Sequence, residues 1–103
     1  MQTVQLPFLE DDKLEKAAVI LKTIAHPARL AIINMLRGNN KMSVNDICET
    51  LEMEQSLVSH HLKNMKLRGI LSCKRDKQQI FYSLKEKDVA KILDCIKNCD
   101  CYL

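Results

Sequence analysis

Apolar positions recur at helical spacing along most of this chain. Between Glu10 and Ile24, Leu14, Ala17, Ala18 and Leu21 fall on one stripe, and acids occupy the first turn, where the helix dipole favours them. A second helix opens at His26-Pro27, because proline suits a first helical position, whose N–H has no intrahelical partner. Leu30, Ala31, Ile32, Ile33 and Leu36 make that helix apolar on most sides, which predicts a central place in the core, and Gly38-Asn39-Asn40 ends it. A short helix follows from Ser43 to Leu51, then a turn, Glu52-Met53-Glu54, then a helix from Gln55 to about Arg68, stopped by Gly69. On this fourth helix Val58, His61, Leu62 and Met65 share one face, while Gln55, Ser59, Lys63 and Lys66 form an opposite face that is polar and basic. The pattern then changes to two strand-like runs, Ile70 to Lys74 and Gln79 to Leu84, linked by Arg75-Asp76-Lys77-Gln78. From Lys85 to about Asp94 the helical period returns, with Val89, Ile92, Leu93 and Ile96 on one stripe. Residues 1–9, which include Pro7, read as an extended arm.

The predicted fold is therefore mainly α with a small β-hairpin wing: a winged helix-turn-helix in the order ααααββα. One domain spans residues 10–103 behind the arm, a size that suits a single modest core. Two helices joined by a short turn form the helix-turn-helix pattern. A polar, basic outer face on the second of them suits the major groove, where side chains meet both base edges and phosphates. Gln55, Ser56, Ser59, His60 and Lys63 lie near the start of that helix, the end that enters the groove in this motif, and are the candidate base or phosphate contacts. Lys66 extends the basic face, and Arg75 and Lys77 place charge on a hairpin positioned to track phosphates.

Charge distribution sharpens this picture. The net charge of +3 is modest, but residues 55–77 hold six Lys or Arg and one acid, Asp76, so this segment carries +5 and the remainder −2. One basic face is the footprint of a polyanionic partner, although a solvated basic surface gives the same pattern. No basic, apolar leader opens the chain, and no apolar run approaches the roughly 18 residues that read as a membrane span. A cytosolic protein with reduced thiols is expected, and five cysteines, an odd number, argue against a closed disulfide framework. No phosphate-binding glycine loop, paired-acid motif or nucleophile signature supports an enzyme. A winged helix used only for protein contacts is the alternative from another class, and the +5 segment argues against it.

The chain resembles the ArsR/SmtB-type winged-helix repressors of bacteria. Three stretches carry the resemblance: Ala25-His26-Pro27-Ala28-Arg29-Leu30 at the second helix; Ser56-Leu57-Val58-Ser59-His60-His61-Leu62 with Gly69-Ile70-Leu71; and Arg75 through Tyr82-Ser83-Leu84. It implies a homodimer joined by the first and last helices and bound to an inverted-repeat DNA operator. The apolar stripes on those two helices agree with it. Glu54 departs from the family, which usually caps the recognition helix with Ser, Thr or Asp, and so leaves the helix start open.

The resemblance also bears on effectors. Arsenite and lead or cadmium sensors of the family carry Cys-x-Cys-x-x-Cys on the third helix, whereas Ser43 to Cys48 keeps only the last cysteine. The family's zinc ligands would fall at Glu86, Asp88, Cys99 and Tyr102, with no histidine among them. Cys48 shares a helical stripe with Val44, Ile47 and Leu51, Cys73 alternates with Leu71 on a strand, and both read as structural; His61 reads as a core histidine and His26 as a helix cap. Cys95, Cys99 and Cys101 remain. Cys95 and Cys99 share a helical face, and Cys101 joins them only if the chain leaves the helix near Asn98 to Asp100. Three converging thiolates suit a thiophilic ion such as As(III) or Sb(III) as effector. A thiol-oxidation or persulfide switch, and a tail with no ligand, are the alternatives.

Overall fold

The computed structural model describes residues 10–99. Their order is α1 (Asp11–Ile24), α2 (Pro27–Gly38), β1 (Met42–Ser43), α3 (Val44–Leu51), α4 (Gln55–Leu67), β2 (Leu71–Asp76), β3 (Gln79–Leu84), a 3-10 turn (Lys87–Val89) and α5 (Ala90–Lys97). The arm at residues 1–9 lies outside the described residues. No single described helix is long and apolar enough to cross a membrane.

The core is built on α2, as its apolar circumference predicts. Ile32 and Ile33 are fully buried and meet Ile47 of α3, Val58, Leu62 and Met65 of α4, and Ile70 and Leu71 at the entry to the sheet. His26 caps α2: its Nδ1 accepts a hydrogen bond from the Ala28 amide at 3.2 Å. Ser43 caps α3, its hydroxyl accepting from the Asp46 amide at 3.0 Å, so the helix starts one residue later than its periodicity suggests.

Both helices of the helix-turn-helix end in a left-handed cap. After α3, Glu52 takes φ 53, and the amides of Glu52 and Met53 return to Glu49 and Cys48. After α4, Gly69 takes φ 79, and the amides of Gly69 and Ile70 return to Lys66 and Met65. These paired bonds satisfy carbonyls that a helix end otherwise leaves open.

Several boundaries differ from the sequence expectation. Met42–Ser43 forms a short strand, so the sheet has three strands in the order β1-β3-β2, not two. Both pairings are antiparallel, with Met42 opposite Tyr82 and Leu71 opposite Leu84. The hairpin is tighter than expected: Arg75 and Asp76 belong to β2, paired with Ile80 and Gln79, leaving only Lys77 and Gln78 in the loop. Lys77 accordingly takes φ 60, the sign required at the first position of a primed two-residue turn. The last helix starts not at Lys85 but through the 3-10 turn, where Glu86 caps with its carboxylate, and α5 continues past Asp94 to Lys97. An ion pair from Arg37 Nη1 to Asp94 Oδ1, at 2.6 Å, ties α5 to α2.

Candidate nucleic-acid interface

α4 lies between the core and solvent along its whole length. Val58, His61, Leu62 and Met65 are buried, as their shared face predicts. Gln55, Ser56, His60 and Lys63 are exposed, and Ser59 is half-buried. Glu54 holds the N-cap position without a side-chain hydrogen bond, so the first amides of α4 have no side chain folded over them.

Beside the start of α4, the wing closes a recess of about 160 Å3 lined by Asn45, Gln55, Gln78, Gln79 and Ile80 with Ser43 and Val44. Side-chain amides from α3, α4 and the wing thus meet at one place. Each offers a donor and an acceptor, the pairing that reads an adenine edge. The sequence gives no sign of Asn45, Gln78 and Gln79 here, because their proximity to Gln55 depends on where the sheet docks.

Arg75 and Lys77 project at the wing, and Arg75 Nε donates to the Lys77 carbonyl at 3.4 Å, bracing the loop. Lys66 is exposed but turns to the wing side of α4. There Cys73, through a hydrogen bond and the negative charge of its thiolate form, raises the Lys66 pKa. Burial raises the pKa of Tyr82 next to them, with Cys73 adding to the effect. Cys73 and Cys48 both pack half-buried against the core.

The other flank of α4 is held by a polar network. His61 is only 4% exposed. Its Nδ1 accepts from Arg29 Nε at 2.9 Å, and Arg29 Nη1 donates to the Thr23 carbonyl at 2.8 Å and to Asn64 Oδ1 at 3.5 Å. α1, α2 and α4 are thereby joined through one guanidinium. The His26 ring lies 4.5 Å from His61, tilted by 54°, and His60 lies at 5.9 Å. Burial lowers the His61 pKa, and Arg29, His26 and His60 add to the shift, so the ring is neutral and an acceptor at Nδ1. His61 is a core histidine, but its Nε2 is buried without a partner among the described residues.

At the C-terminal end, Cys95 is exposed on α5. Cys99 is half-buried just past the C-cap, Asn98, where the chain leaves the helix. Cys101 lies outside the described residues, as does Tyr102. Among the described residues no three His, Cys, Asp or Glu side chains converge as a metal site. Glu86 and Asp88 are engaged elsewhere, in the cap and in an ion pair with Lys91 at 3.1 Å.

The described residues thus form a helix-turn-helix with an exposed polar face on α4, beside a three-stranded sheet. The profile of the bacterial regulatory protein arsR family matches residues 26–72. The transcriptional regulator YgaV of Escherichia coli is 37% identical over 87 residues, covering 84% of this chain and 88% of YgaV. The chain belongs to the ArsR family of DNA-binding transcriptional regulators. The transcriptional repressor PagR of Bacillus anthracis is 40% identical over 86 residues, covering 82% of this chain and 85% of PagR. Its crystal structure superposes with a TM-score of 0.74 at 36% identity, over 82% of this chain and 97% of that one. HlyU of Vibrio cholerae, a transcriptional activator, matches at a TM-score of 0.78 and 31% identity over 88% of this chain and 98% of that one. A structure of reduced HlyU matches at 0.77 and 31%, over 88% and 95%. These ArsR relatives are regulators of transcription, not enzymes.

Proposed function

We propose that this ArsR-family protein is a homodimeric, cytosolic repressor that binds an inverted-repeat operator and is released by an effector acting on its C-terminal thiols. The observation that carries the DNA-binding mode is the α4 surface: an exposed polar and basic stripe beside an amide-lined recess, with Arg75 and Lys77 on the wing. Gln55 and Ser59 read bases, while Ser56, His60, Lys63, Lys66, Arg75 and Lys77 meet bases or phosphates. Ser59→Ala or Gln55→Ala is expected to cost about 1–3 kcal/mol on the cognate site and to relax preference at one position. Lys77→Ala is expected to weaken all duplexes alike. The assignment fails if Lys77→Ala changes specificity while Gln55→Ala changes nothing.

The dimer reading rests on apolar side chains that the protomer does not cover. Leu14 and Leu21 of α1 and Ile96 of α5 are 43%, 50% and 45% exposed. An apolar face of this kind marks a partner surface. Cys95 and Cys99 lie at the end of the same α5, so an effector there acts where the protomers would join. As(III) or Sb(III) held by Cys95, Cys99 and Cys101 is the effector proposed, each metal–sulfur bond displacing a thiol proton. The exposure of Cys95 favours a second reading, oxidation or persulfidation of that thiol. A Cys95→Ser/Cys99→Ser/Cys101→Ser variant is expected to bind operator normally and ignore arsenite. Wild-type protein released by peroxide or persulfide but not by arsenite would replace the first effector with the second.

A further inference from the structure

α4 has two flanks, because successive residues turn by about 100° around a helix. On one flank Gln55, with Lys66 on the same side of the helix, meets the loop of the wing. Ser56, His60 and Lys63 form the crest, directly opposite the buried face. On the other flank Asn64 and Arg68 border a second, open recess, about 280 Å3, shared with Val19, Lys22 and Thr23 of α1 and Arg29 of α2. Three cations and no acid line it. The two ion pairs among the described residues, Arg37 with Asp94 and Lys91 with Asp88, include none of the three. Asp12 and Glu15 border an adjoining groove with Arg68, further along α1, and neither lies within ion-pair distance of it.

Arg29 is the fixed wall of this recess. Its Nε and Nη1 are held by His61, Thr23 and Asn64, while its Nη2 makes no hydrogen bond among the described residues. The guanidinium is therefore oriented before any ligand arrives, with donors still available, and the exposed Lys22 and Arg68 supply further charge beside it. A planar fork of this kind suits an oxyanion with several acceptor oxygens.

A helix in the major groove, about 12 Å wide, is walled on either side by a sugar–phosphate strand. The wing stands on one side of the α4 crest and this recess on the other. We propose that Lys22, Arg29 and Arg68 cradle a backbone phosphate of the DNA strand opposite the one met by the wing, so that each protomer grips both walls of its groove. This rests on the DNA-binding mode proposed above and adds a second phosphate anchor to it.

The test compares wild type with Lys22→Gln/Arg68→Gln, leaving Arg29 in place because it also joins three helices. Binding to one operator duplex is measured across a salt series and by phosphate-ethylation interference. The variant should keep the wild-type thermal midpoint. Its plot of log affinity against log salt should be shallower by about 0.9 for each phosphate no longer neutralised, or about 1.8 for a dimer in which each protomer frees one. Ethylation of one strand beside each half-site should weaken wild type but no longer weaken the variant, while Lys77→Ala should abolish the signal on the facing strand. An unchanged slope and interference pattern overturns the proposal, as does a weakening spread evenly over both strands. Wild-type protein that binds no duplex in a salt-dependent way overturns the DNA-binding mode itself, and the phosphate cradle with it.

Discussion

His61 and Arg29 are the residue pair on which the placement of α4 turns. Protonating His61 would put a donor where the ring now accepts from Arg29, among two further histidines. Its folded pKa is depressed below the unfolded value of about 6.5. The unfolded chain therefore takes up this proton first as pH falls, and the stability it contributes is full above about pH 6.5 and declines below it. Thermal midpoints measured between pH 7.5 and 5 should fall toward acid, and His61→Asn, whose side-chain oxygen can still accept from Arg29, should flatten that fall. An equal fall in the variant would remove His61 as the cause. Arg29→Ala removes charge-assisted bonds to three partners, so about 2 kcal/mol of stability should disappear in denaturant titration. Arg29→Lys should recover little, because a point charge cannot satisfy Thr23, Asn64 and His61 from one place.

At the scale of elements, local chemistry settles the helix ends, and two substitutions measure it. Glu52 sits in the left-handed region, where a side chain costs roughly 1–2 kcal/mol and glycine does not. Glu52→Gly should stabilise the protein by about 0.5–1 kcal/mol, part of the gain being offset by the entropy of a glycine in the unfolded chain. Ser43→Ala should cost about 1 kcal/mol by removing the cap on α3. Chemical denaturation of both variants checks the two signs; a destabilised Glu52→Gly would mean the turn gains more from that side chain than it loses in strain. The same locality explains what the sequence made legible. Proline, glycine and the apolar period located five helices and a wing, and the spacing of Val58, His61, Leu62 and Met65 picked out the buried face of α4. Met42–Ser43 was not legible because a two-residue strand has no period, and only its pairing with Phe81 and Tyr82 defines it. Arg75 and Asp76 resembled a loop because both are charged, yet an exposed hairpin end accepts charge on its strands. The two recesses flanking α4 were not legible at all. Arg29 and His61 are 32 positions apart, and the Lys22, Arg29 and Arg68 grouping comes from three helices whose docking no local pattern encodes.

At the scale of the whole molecule, one protomer leaves apolar surface uncovered. Its core is closed around α2, but α1 contributes only Thr23 and Ile24 to the buried set, and the outer faces of α1 and α5 remain apolar and open. If a second copy covers those faces, a charge placed there should separate the protomers without unfolding them. Leu21→Glu is expected to sediment as a monomer at micromolar concentration with an unchanged far-ultraviolet spectrum; a dimer that survives Leu14→Glu/Leu21→Glu would place the interface elsewhere. A dimer presents two copies of α4, and a two-fold protein reads a two-fold site. The most direct test is selection of bound duplexes from a random pool by the purified protein, followed by footprinting of the enriched sequence. The prediction is an inverted repeat whose half-sites are centred about 10 base pairs apart or a small multiple of that, protected on successive major grooves. Enrichment of a single asymmetric site, or of no sequence at all, would contradict it.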